Sequence, residues 1–473
     1  GVSRGNAARL RSGPAVQSRP YVAQRRERRA VTRAASAGLP AFDAGFLRDP
    51  YPAYRALREA GPLHWCEDFF QGAWLLTRHE DVERVLRDPR FSSQRTGGWV
   101  KRAEGLDAAY ATARAQGGLD RFQRLFSRAM VFLDAPDHTR LRRAMMGGFH
   151  PATIRALAPE IERLADEILD GLDGGQGFDF IETVARPLPS RVIGLLLGID
   201  RADEAQFIAW SEELAVFIGA VRPEAEQLQR AQRSLMQLVR YFDALIETRR
   251  RAPGTDLLSR LVQAEEHGLV RTDGELLAQC AMLLFAGHET TRNLLGNGLF
   301  TLLSHPGQWA ALRAQPDGIG AAVREVLRYD SPVQYTGRRV SREIELHGHT
   351  LRRGELVIAL IGSANRDPAR YTEPERFDIT RGEGSHLAFG SGPHVCIGAG
   401  LSMLEADITL RALMRRWPGL RMIDAEPQWN GNAALRGLLR LPVRCDDAAA
   451  GGEVVELGMH KGYRPAPAMV SST

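Results

Sequence analysis

The sequence predicts a mainly α-helical fold with a small β part. The longest helical pattern ends at Arg249–Arg251, and its apolar residues recur at steps of three and four. A second helix is predicted to begin at Thr272, because Glu275 three residues later completes the pattern of a capping box before an apolar run. Two short segments, 73–77 and 355–360, have the character of β-strands.

The first long helix is predicted to start at Pro223. Its three arginines at 249–251 are typical of a last helical turn, where cations interact favourably with the free carbonyl groups. Pro253-Gly254 then ends it. At about 1.5 Å per residue, this helix would be on the order of 40 Å long. Its apolar positions are Leu228, Leu235, Leu238, Phe242 and Leu245.

The second long helix contains the segment Ala286-Gly287-His288-Glu289-Thr290-Thr291. A glycine in a helix interior costs about 1 kcal/mol relative to alanine, so Gly287 needs a reason. Thr290 can hydrogen-bond the carbonyl of Ala286, four residues earlier, and bend the helix. From these residues alone, Thr290 fits equally well as a satisfied polar group in a buried helix.

A glycine-rich segment, residues 389–398, carries Cys396. Its glycines allow the backbone to turn sharply and to approach a bulky partner closely. The N–H groups freed by such a turn can point at the sulfur and stabilise the thiolate, which is the form that binds metal. The alternative is a solvent loop with a free cysteine. That alternative is disfavoured by the apolar helical pattern that follows, Leu401, Leu404 and Ile408.

In this glycine-rich segment the chain resembles the cytochrome P-450 family, the haem-thiolate monooxygenases, in its soluble bacterial type. The haem-binding loop of that family reads Phe-x-x-Gly-x-His/Arg-x-Cys-x-Gly, and five residues fill it without a gap: Phe389, Gly392, His394, Cys396 and Gly398. The resemblance implies haem b (iron protoporphyrin IX) as the cofactor, bound through these residues with Cys396 as the axial ligand. Such a thiolate pushes electron density onto iron and favours O–O cleavage.

The same resemblance assigns roles to the glycine-containing helix. Ala286 and Gly287 would lie over the distal face of the haem, and Thr290 with Glu289 would form the catalytic pair that manages dioxygen and protons. An acid beside an alcohol suits a reaction in which both protons go to one oxygen atom. His288 is interpreted as a pocket or packing residue rather than a second iron ligand.

Cationic residues are expected at the haem propionates. A helix that begins after Pro136 places His138 and Arg142, four residues apart, on one face. Arginine is well suited to binding a carboxylate. The resemblance implies that His138, Arg142, Arg338 and His394 bind the propionates, with a surface charge as the alternative for Arg338.

A further ion pair is predicted from Glu325 and Arg328, which face each other at i, i+3 on a helix. With Arg376 they resemble the Glu-Arg-Arg cluster of the family. That cluster locks the core on the cysteine side, so its role is structural.

Three regions are predicted: an Arg-rich, disordered extension over residues 1–36, a haem-thiolate monooxygenase domain over 37–447, and a peripheral tail over 448–473. The extension holds nine arginines and one acid, a net charge of +8 within a total of +5, so the remaining residues sum to about −3. It is interpreted as a solvated arm or a stretch outside the functional protein, with a nucleic-acid patch or a transit segment as alternatives.

Composition bounds the location and the partners. No run reaches the roughly 18 apolar residues of a membrane helix. The cysteines are scattered without paired spacing, which argues for a reducing compartment. With the resemblance to the soluble bacterial type, we expect a cytoplasmic monomer with no nucleic-acid partner and no transmembrane segment. Ferredoxin or flavodoxin, with its NAD(P)H reductase, would supply electrons, and Arg140 and Arg143 could receive an acidic donor or belong to a solvated face.

The functional hypothesis is a monooxygenase that uses dioxygen and external electrons to hydroxylate or epoxidise an apolar small molecule. A polyketide, macrolide, terpenoid or other secondary metabolite is the candidate substrate class. One alternative is a peroxide-driven or oxidative-coupling haem-thiolate enzyme, against which the Glu289-Thr290 pair argues. The other is a non-catalytic haem-binding sensor.

Overall fold

The computed structural model describes residues 43–67, 72–94, 124–219, 224–423 and 426–445. The predicted extension, 1–36, and the predicted tail, 448–473, lie outside these ranges, and so does Pro223. The limits proposed for the three regions therefore stay predictions.

Helices make up the larger part of the described chain, as predicted. In chain order they are α1 (Ala44–Arg48), α2 (Tyr51–Ala60), α3 (His79–Arg87), α4 (Asp137–Met146), α5 (Pro151–Ala156), α6 (Ala158–Asp170), α7 (Pro187–Leu197), α8 (Glu204–Gly219), α9 (Ala225–Arg251), α10 (Leu257–Glu266), α11 (Asp273–Leu303), α12 (Pro306–Ala314), α13 (Ile319–Tyr329), α14 (Ile361–Ala364) and α15 (Ala399–Arg416). A π-helical turn spans Ile181–Ala185, and 3-10 turns span Met130–Phe132, Arg201–Asp203, Pro316–Gly318 and Gly392–His394.

The strands are short and fall into four small sheets. In chain order they are β1 (Leu63–Cys66), β2 (Ala73–Leu76), β3 (Phe91–Ser92), β4 (Phe178–Asp179), β5 (Thr336–Val340), β6 (Ile344–Leu346), β7 (His349–Leu351), β8 (Leu356–Ala359), β9 (Leu420–Met422), β10 (Gln428–Trp429), β11 (Leu438–Arg440) and β12 (Pro442–Cys445).

The largest sheet has the order β1-β2-β8-β5-β3 and contains both predicted strands. Strands β2 and β8 pair in parallel, with Leu75 opposite Ile358, and the other neighbours are antiparallel. Strand β2 is buried along its whole length, and β8 is buried after its first residue. This explains why both sequences are continuous apolar runs rather than alternating ones.

Helix α9 confirms the long helix predicted from the spacing of its leucines. It begins after a capping box formed by Glu224 and Gln227, and it ends with the three arginines at 249–251. It packs on α8 through an aromatic cluster of Phe207, Trp210, Tyr241 and Phe242.

Helix α11 is the central element of the core. It begins where predicted, because the Thr272 hydroxyl accepts a hydrogen bond from the N–H of Glu275 at 3.1 Å. It packs against α7, α8, α9, α13 and α15. Most of its residues are buried, which is why its sequence is apolar all round rather than on one stripe.

The predicted ion pair between Glu325 and Arg328 is present on α13. Both side chains are buried, and two hydrogen bonds of 2.7 and 2.8 Å join them. The prediction for Arg376 is corrected, because its side chain is 60% exposed and contacts Glu373 and Asp378 instead. Arg381 takes the expected place, with its Nε 3.2 Å from Glu325.

Arg376 contributes to this cluster through its backbone. Its carbonyl oxygen accepts hydrogen bonds from Arg328 and Arg381 at 3.1 and 3.0 Å. Two buried guanidinium groups therefore share one carboxylate and the surrounding carbonyl groups, while the third arginine faces solvent.

Among the helices of the described ranges, none combines the length with the apolarity that a bilayer crossing requires.

Candidate active site

A large cavity opens between α11, the start of α4 and the segment 388–402. Its volume is about 300 Å³, measured as the space open to the centres of water molecules. Most of its wall is apolar, with Val131, Ile193, Leu283 and Val333 among the side chains that face it. The polar groups gather in a few places, which are described in turn.

Cys396 lies in the wall of this cavity at the end of a tight loop. Its N–H donates to the carbonyl of Phe389 at 2.8 Å, which closes the loop across the glycines. Gly390 has a φ of 74°, a left-handed conformation that favours glycine. The cysteine side chain is exposed, and the space that it faces is the cavity.

Opposing influences act on the Cys396 sulfur. Because the side chain opens into a cavity that the protein surrounds, desolvation raises the pKa of the thiol above its usual value, while the N–H groups of Gly398 and Ala399 and the Arg142 guanidinium lower it. These N–H groups lie at the start of α15, where the helix dipole also favours negative charge. The loop thus holds the donors and the cation that a thiolate needs.

Gly392 belongs to the same loop but does not line the cavity. It has a φ of 71°, and a Cβ atom there would lie 3.1 Å from the Cα of Arg87 and 3.2 Å from the carbonyl of Leu86. The glycine is therefore required by the close approach of α3. Phe389, Gly398 and His394 do line the cavity.

Helix α11 forms another part of the cavity wall, and Thr290 faces the cavity from it. The Thr290 hydroxyl donates to the carbonyl of Ala286 at 2.6 Å, the bond expected from their spacing. Ala286 and Gly287 line the same wall. A Cβ atom at Gly287 would lie 2.9 Å from Cδ1 of Ile193, so close packing of α7 is one reason for this mid-helix glycine.

His288 is a packing residue. Its side chain is fully buried, and its ring nitrogens lie 3.1 Å from the Ser211 hydroxyl and 3.1 Å from the carbonyl of Arg186. Because both nitrogens are engaged on the far side of α11, the ring is turned away from the cavity.

Glu289 is also turned away from the cavity and is buried. Its carboxylate contacts the Arg292 guanidinium at 3.2 Å and accepts from the Asn293 amide at 3.2 Å. From Arg292 a series of charged groups continues towards solvent: Glu212 at 3.8 Å, then Arg186 at 2.7 Å from Glu212, then the 64% exposed Glu182 at 2.8 Å from Arg186.

Four predicted residues gather at one side of the cavity: His138, Arg142, Arg338 and His394. The rings of His138 and His394 lie 4.0 Å apart, and His394 contacts the Ser93 hydroxyl at 3.0 Å. Arg142 donates to the carbonyl of Val395 at 2.9 Å, which ties α4 to the cysteine loop.

Two of these four side chains are buried, and each lacks an interaction among the described residues, a hydrogen bond in one case and an ion pair in the other. His138 is 3% exposed, and its Nε2 has no hydrogen-bond partner among the described residues. Arg338 is 5% exposed and forms no salt bridge with an acid in the described ranges. Burial lowers the pKa of Arg338 to about 10. Buried cations normally have an anionic partner, so this side of the cavity fits a ligand that carries carboxylates.

Three cavity residues were not anticipated from the sequence. Glu405 on α15 is 2% exposed, and its Oε2 has no hydrogen-bond partner in the described chain. Gln279 on α11 is 1% exposed and bonds to the segment around Met130. Ser402 lies 3.1 Å from the Thr291 hydroxyl. An isolated polar residue within an apolar helical run was the available signal for Glu405 and Gln279.

The sequence suggests Arg140 as a docking residue, but its side chain forms ion pairs within the protein. The side chain is 11% exposed, its Nη2 lies 2.6 Å from Glu275, and it also contacts Asp137. Arg143, one residue beyond Arg142, is exposed.

Comparison with known proteins gives extensive matches. The family model described as Cytochrome P450 matches residues 51–318 and 319–428. The chain is 37% identical over 406 residues to 6-deoxyerythronolide B hydroxylase of Saccharopolyspora erythraea, covering 85% of this chain and 97% of the relative. It is 36% identical over 405 residues to the polyketide biosynthesis cytochrome P450 PksS of Bacillus subtilis, covering 84% and 96%.

Among solved structures, P450BioI in complex with hexadec-9Z-enoic acid ligated acyl carrier protein superposes with a TM-score of 0.77 at 35% identity. The match covers 85% of this chain and 99% of that one.

Proposed function

This chain belongs to the cytochrome P450 family of monooxygenases, and from that premise we propose that it uses dioxygen and externally supplied electrons to hydroxylate or epoxidise an apolar small molecule. The observation that carries the proposal is that Cys396, on the glycine loop, and Thr290, on α11, line one apolar cavity. The predicted family and the predicted mainly helical fold are confirmed.

The family uses a haem with a cysteine thiolate ligand, and we propose haem b with Cys396 as that ligand. The glycine loop and the N–H groups aimed at the sulfur support this assignment. The unpartnered His138 Nε2 and the buried Arg338 guanidinium would receive the propionates, together with Arg142 and His394. Phe389 and Gly398 would line the cysteine side, Ala286 and Gly287 the opposite side, and Gly392 would shape the loop from outside the cavity.

Bound haem would supply the activation of dioxygen, and the protein would supply protons and exclude water. Insertion of one oxygen atom into a C–H bond consumes one dioxygen, two protons and two electrons and releases one water. We propose that Thr290 holds a proton at its hydroxyl beside the reacting oxygen. Its bond to the Ala286 carbonyl fixes the hydroxyl at the cavity wall.

Glu289 would act behind Thr290 rather than inside the cavity. It lies at the inner end of the charged series that ends at the exposed Glu182. Because arginine keeps its proton, Arg292 and Arg186 would hold the carboxylates of this series in place, and Glu289 itself would be the proposed proton carrier behind Thr290.

We propose a secondary metabolite such as a polyketide, macrolide or terpenoid as substrate. The apolar cavity wall supports this, since apolar ligands gain from burial against apolar side chains. Two relatives are named as a 6-deoxyerythronolide B hydroxylase and a polyketide biosynthesis enzyme, which supports the same class.

We propose a cytoplasmic monomer that receives electrons from a ferredoxin or flavodoxin and its NAD(P)H reductase. Arg143 is exposed one residue from Arg142, which contacts the cysteine loop, so an acidic donor could bind close to Cys396. Reduction by ferredoxin should slow with rising salt, and Arg143→Gln should weaken that dependence. A rate insensitive to salt would contradict this docking site.

Turnover under labelled dioxygen tests the function. The purified enzyme is supplied with ferredoxin, its reductase and NADPH, and is incubated with a panel of macrolactones and terpenoids under ¹⁸O₂. A product that carries one ¹⁸O atom supports the proposal. Turnover that requires hydrogen peroxide and ignores the electron donors would support a peroxide-driven enzyme, and haem binding without turnover of any compound would favour a sensor.

A further inference from the structure

The side-chain amide of Gln279 joins α11 to the segment that precedes α4. Its Oε1 accepts a hydrogen bond from the N–H of Met130 at 2.8 Å, and its Nε2 donates to the carbonyl of Arg128 at 2.9 Å. The same Nε2 donates to the carbonyl of Glu275 at 2.9 Å within the helix. Gln279 therefore fastens two neighbouring backbone groups of the segment to one turn of α11.

These bonds use both donor hydrogens of the amide. Both Nε2 hydrogens are donated to carbonyl groups, and Oε1 already accepts from Met130. Although Gln279 is part of the cavity wall, it has no hydrogen left to donate to a ligand. Its polar atoms serve the protein rather than the contents of the cavity.

The segment that Gln279 holds forms part of the cavity wall. Met130 and Val131, on the 3-10 turn Met130–Phe132, line the cavity together with Ala286 and Thr290 of α11. The position of this turn relative to α11 therefore sets the space between the two walls.

A second bond holds the same region one helical turn earlier. Glu275 of α11 pairs with Arg140 of α4, with Nη2 of Arg140 2.6 Å from the carboxylate. Gly274 leaves room for the Arg128 side chain, whose Nη1 would clash with a Cβ atom at that position. Arg140 anchors the helix that follows the turn, whereas Gln279 anchors the turn itself.

We propose that Gln279 is a positioning residue that fixes Met130 and Val131 against α11 and so determines the size of molecule that the cavity accepts. This proposal rests on the proposed function, since it concerns the selection of ligands at the same site. Without the amide, the part-buried Met130 N–H and Arg128 carbonyl would lose their partners on α11, and a polar group that loses a partner favours movement of its segment towards new bonds. The turn would then move, and the cavity would widen.

Size discrimination can be measured with azoles that bind ferric haem iron through nitrogen and shift the Soret band. The haem-loaded protein is titrated with imidazole, 4-phenylimidazole and clotrimazole, and the ratio of dissociation constants for the smallest and the largest probe is compared. Gln279→Leu removes the bonds to Met130 and Arg128 with little change in side-chain volume. In this variant we expect the ratio to change by about tenfold in favour of the large probe.

Gln308→Leu is the matched control. The Gln308 amide also accepts a backbone hydrogen bond, from the N–H of Ile379 at 2.9 Å, but it does not line the cavity. Its variant should keep the wild-type ratio. In a protein that carries Met130→Ala and Val131→Ala, the further change Gln279→Leu should have little effect, because the side chains that Gln279 positions have been removed.

An unchanged ratio in Gln279→Leu overturns the proposal, and so does a full effect in the Met130→Ala, Val131→Ala background. If Gln279→Leu fails to retain haem, Gln279→Glu gives the same test. It keeps an acceptor for the Met130 N–H but loses the donors. We therefore expect the ratio to shift in favour of the large probe, by less than the change expected for Gln279→Leu. An unchanged ratio in that variant also overturns the proposal.

Hydrogen–deuterium exchange gives a readout that does not depend on haem chemistry. The Met130 amide should exchange faster in Gln279→Leu than in Gln308→Leu, and equal exchange would contradict the proposed bond. Failure of the proposed function would be seen separately, because the wild-type protein would then form no ¹⁸O-labelled product under ¹⁸O₂, whereas the azole ratio and the Met130 exchange rate do not depend on turnover.

Discussion

Replacing Glu405 with glutamine should stabilise the protein at pH 8 more than at pH 5. Glu405 lies on α15 with 2% of its side chain exposed, and its Oε2 has no hydrogen-bond partner in the described chain. Burial raises the pKa of this carboxyl group from 4.5 to about 8. The native protein therefore holds a proton there that the unfolded chain releases near pH 4.5.

The sign and size follow from this difference. Between pH 4.5 and about 8 the native state binds more protons than the unfolded state at this residue, so the free energy of unfolding falls as the pH rises. One pKa unit corresponds to about 1.36 kcal/mol, and the window between pH 5 and 8 therefore amounts to roughly 3 to 4 kcal/mol. The contribution is fully present below pH 4.5 and is lost at pH 8 and above.

Urea unfolding at pH 5, 6, 7 and 8, followed by circular dichroism, measures this difference. The free energy of unfolding of Glu405→Gln minus that of the wild type should rise by roughly 3 to 4 kcal/mol across the series, because glutamine does not titrate. Glu59→Gln, at an exposed position of α2, is the matched control and should stay within about 0.5 kcal/mol of the wild type. Parallel pH profiles for Glu405→Gln and the wild type would refute the reasoning.

Three further predictions concern the site and its support. Thr290→Ala should lower product formed per NADPH consumed by about tenfold or more, since one proton-transfer group contributes 10² to 10⁴ in rate; unchanged coupling, measured as product against NADPH, would contradict the role of the hydroxyl. Arg338→Met should release haem more readily in a transfer assay to apomyoglobin, and an unchanged rate would exclude the propionate contact. Arg381→Met should lower the free energy of unfolding by about 3 kcal/mol or more, because it removes a buried partner of Glu325. Arg376→Met, at an exposed side chain, should lower it by less than about 1 kcal/mol. Equal losses of the two variants in urea unfolding would contradict the corrected cluster.

The elements that the sequence predicted well are those with strong local signals. Helix α11 was placed by its capping residues and its apolar run, and β2 and β8 by continuous apolar stretches. The Cys396 loop was recognisable because its glycines occupy fixed positions, and the structure gives Gly390 and Gly392 the left-handed backbone that requires them.

The contacts that the sequence did not predict depend on how distant segments meet. The Arg376 carbonyl and the Arg381 guanidinium both contact the Glu325–Arg328 pair. Neither the spacing nor the residue type indicates which of the two arginines places its side chain on Glu325. The chain direction after Arg376 turns its side chain to solvent and brings Arg381 back towards α13. Glu289 is held away from the cavity by Arg292 and Asn293 of its own helix, and Arg292 in turn contacts Glu212 of α8, a contact between distant segments that the sequence does not indicate.

The reduced protein with carbon monoxide gives the most direct test of the central claim. A strongly red-shifted Soret band shows a cysteine thiolate on haem iron, and Cys396→Ser should abolish this band while haem still binds through the residues around His138 and Arg338. A band at the position typical of histidine-ligated haem, or the absence of haem from protein that has been supplied with it, would contradict the account.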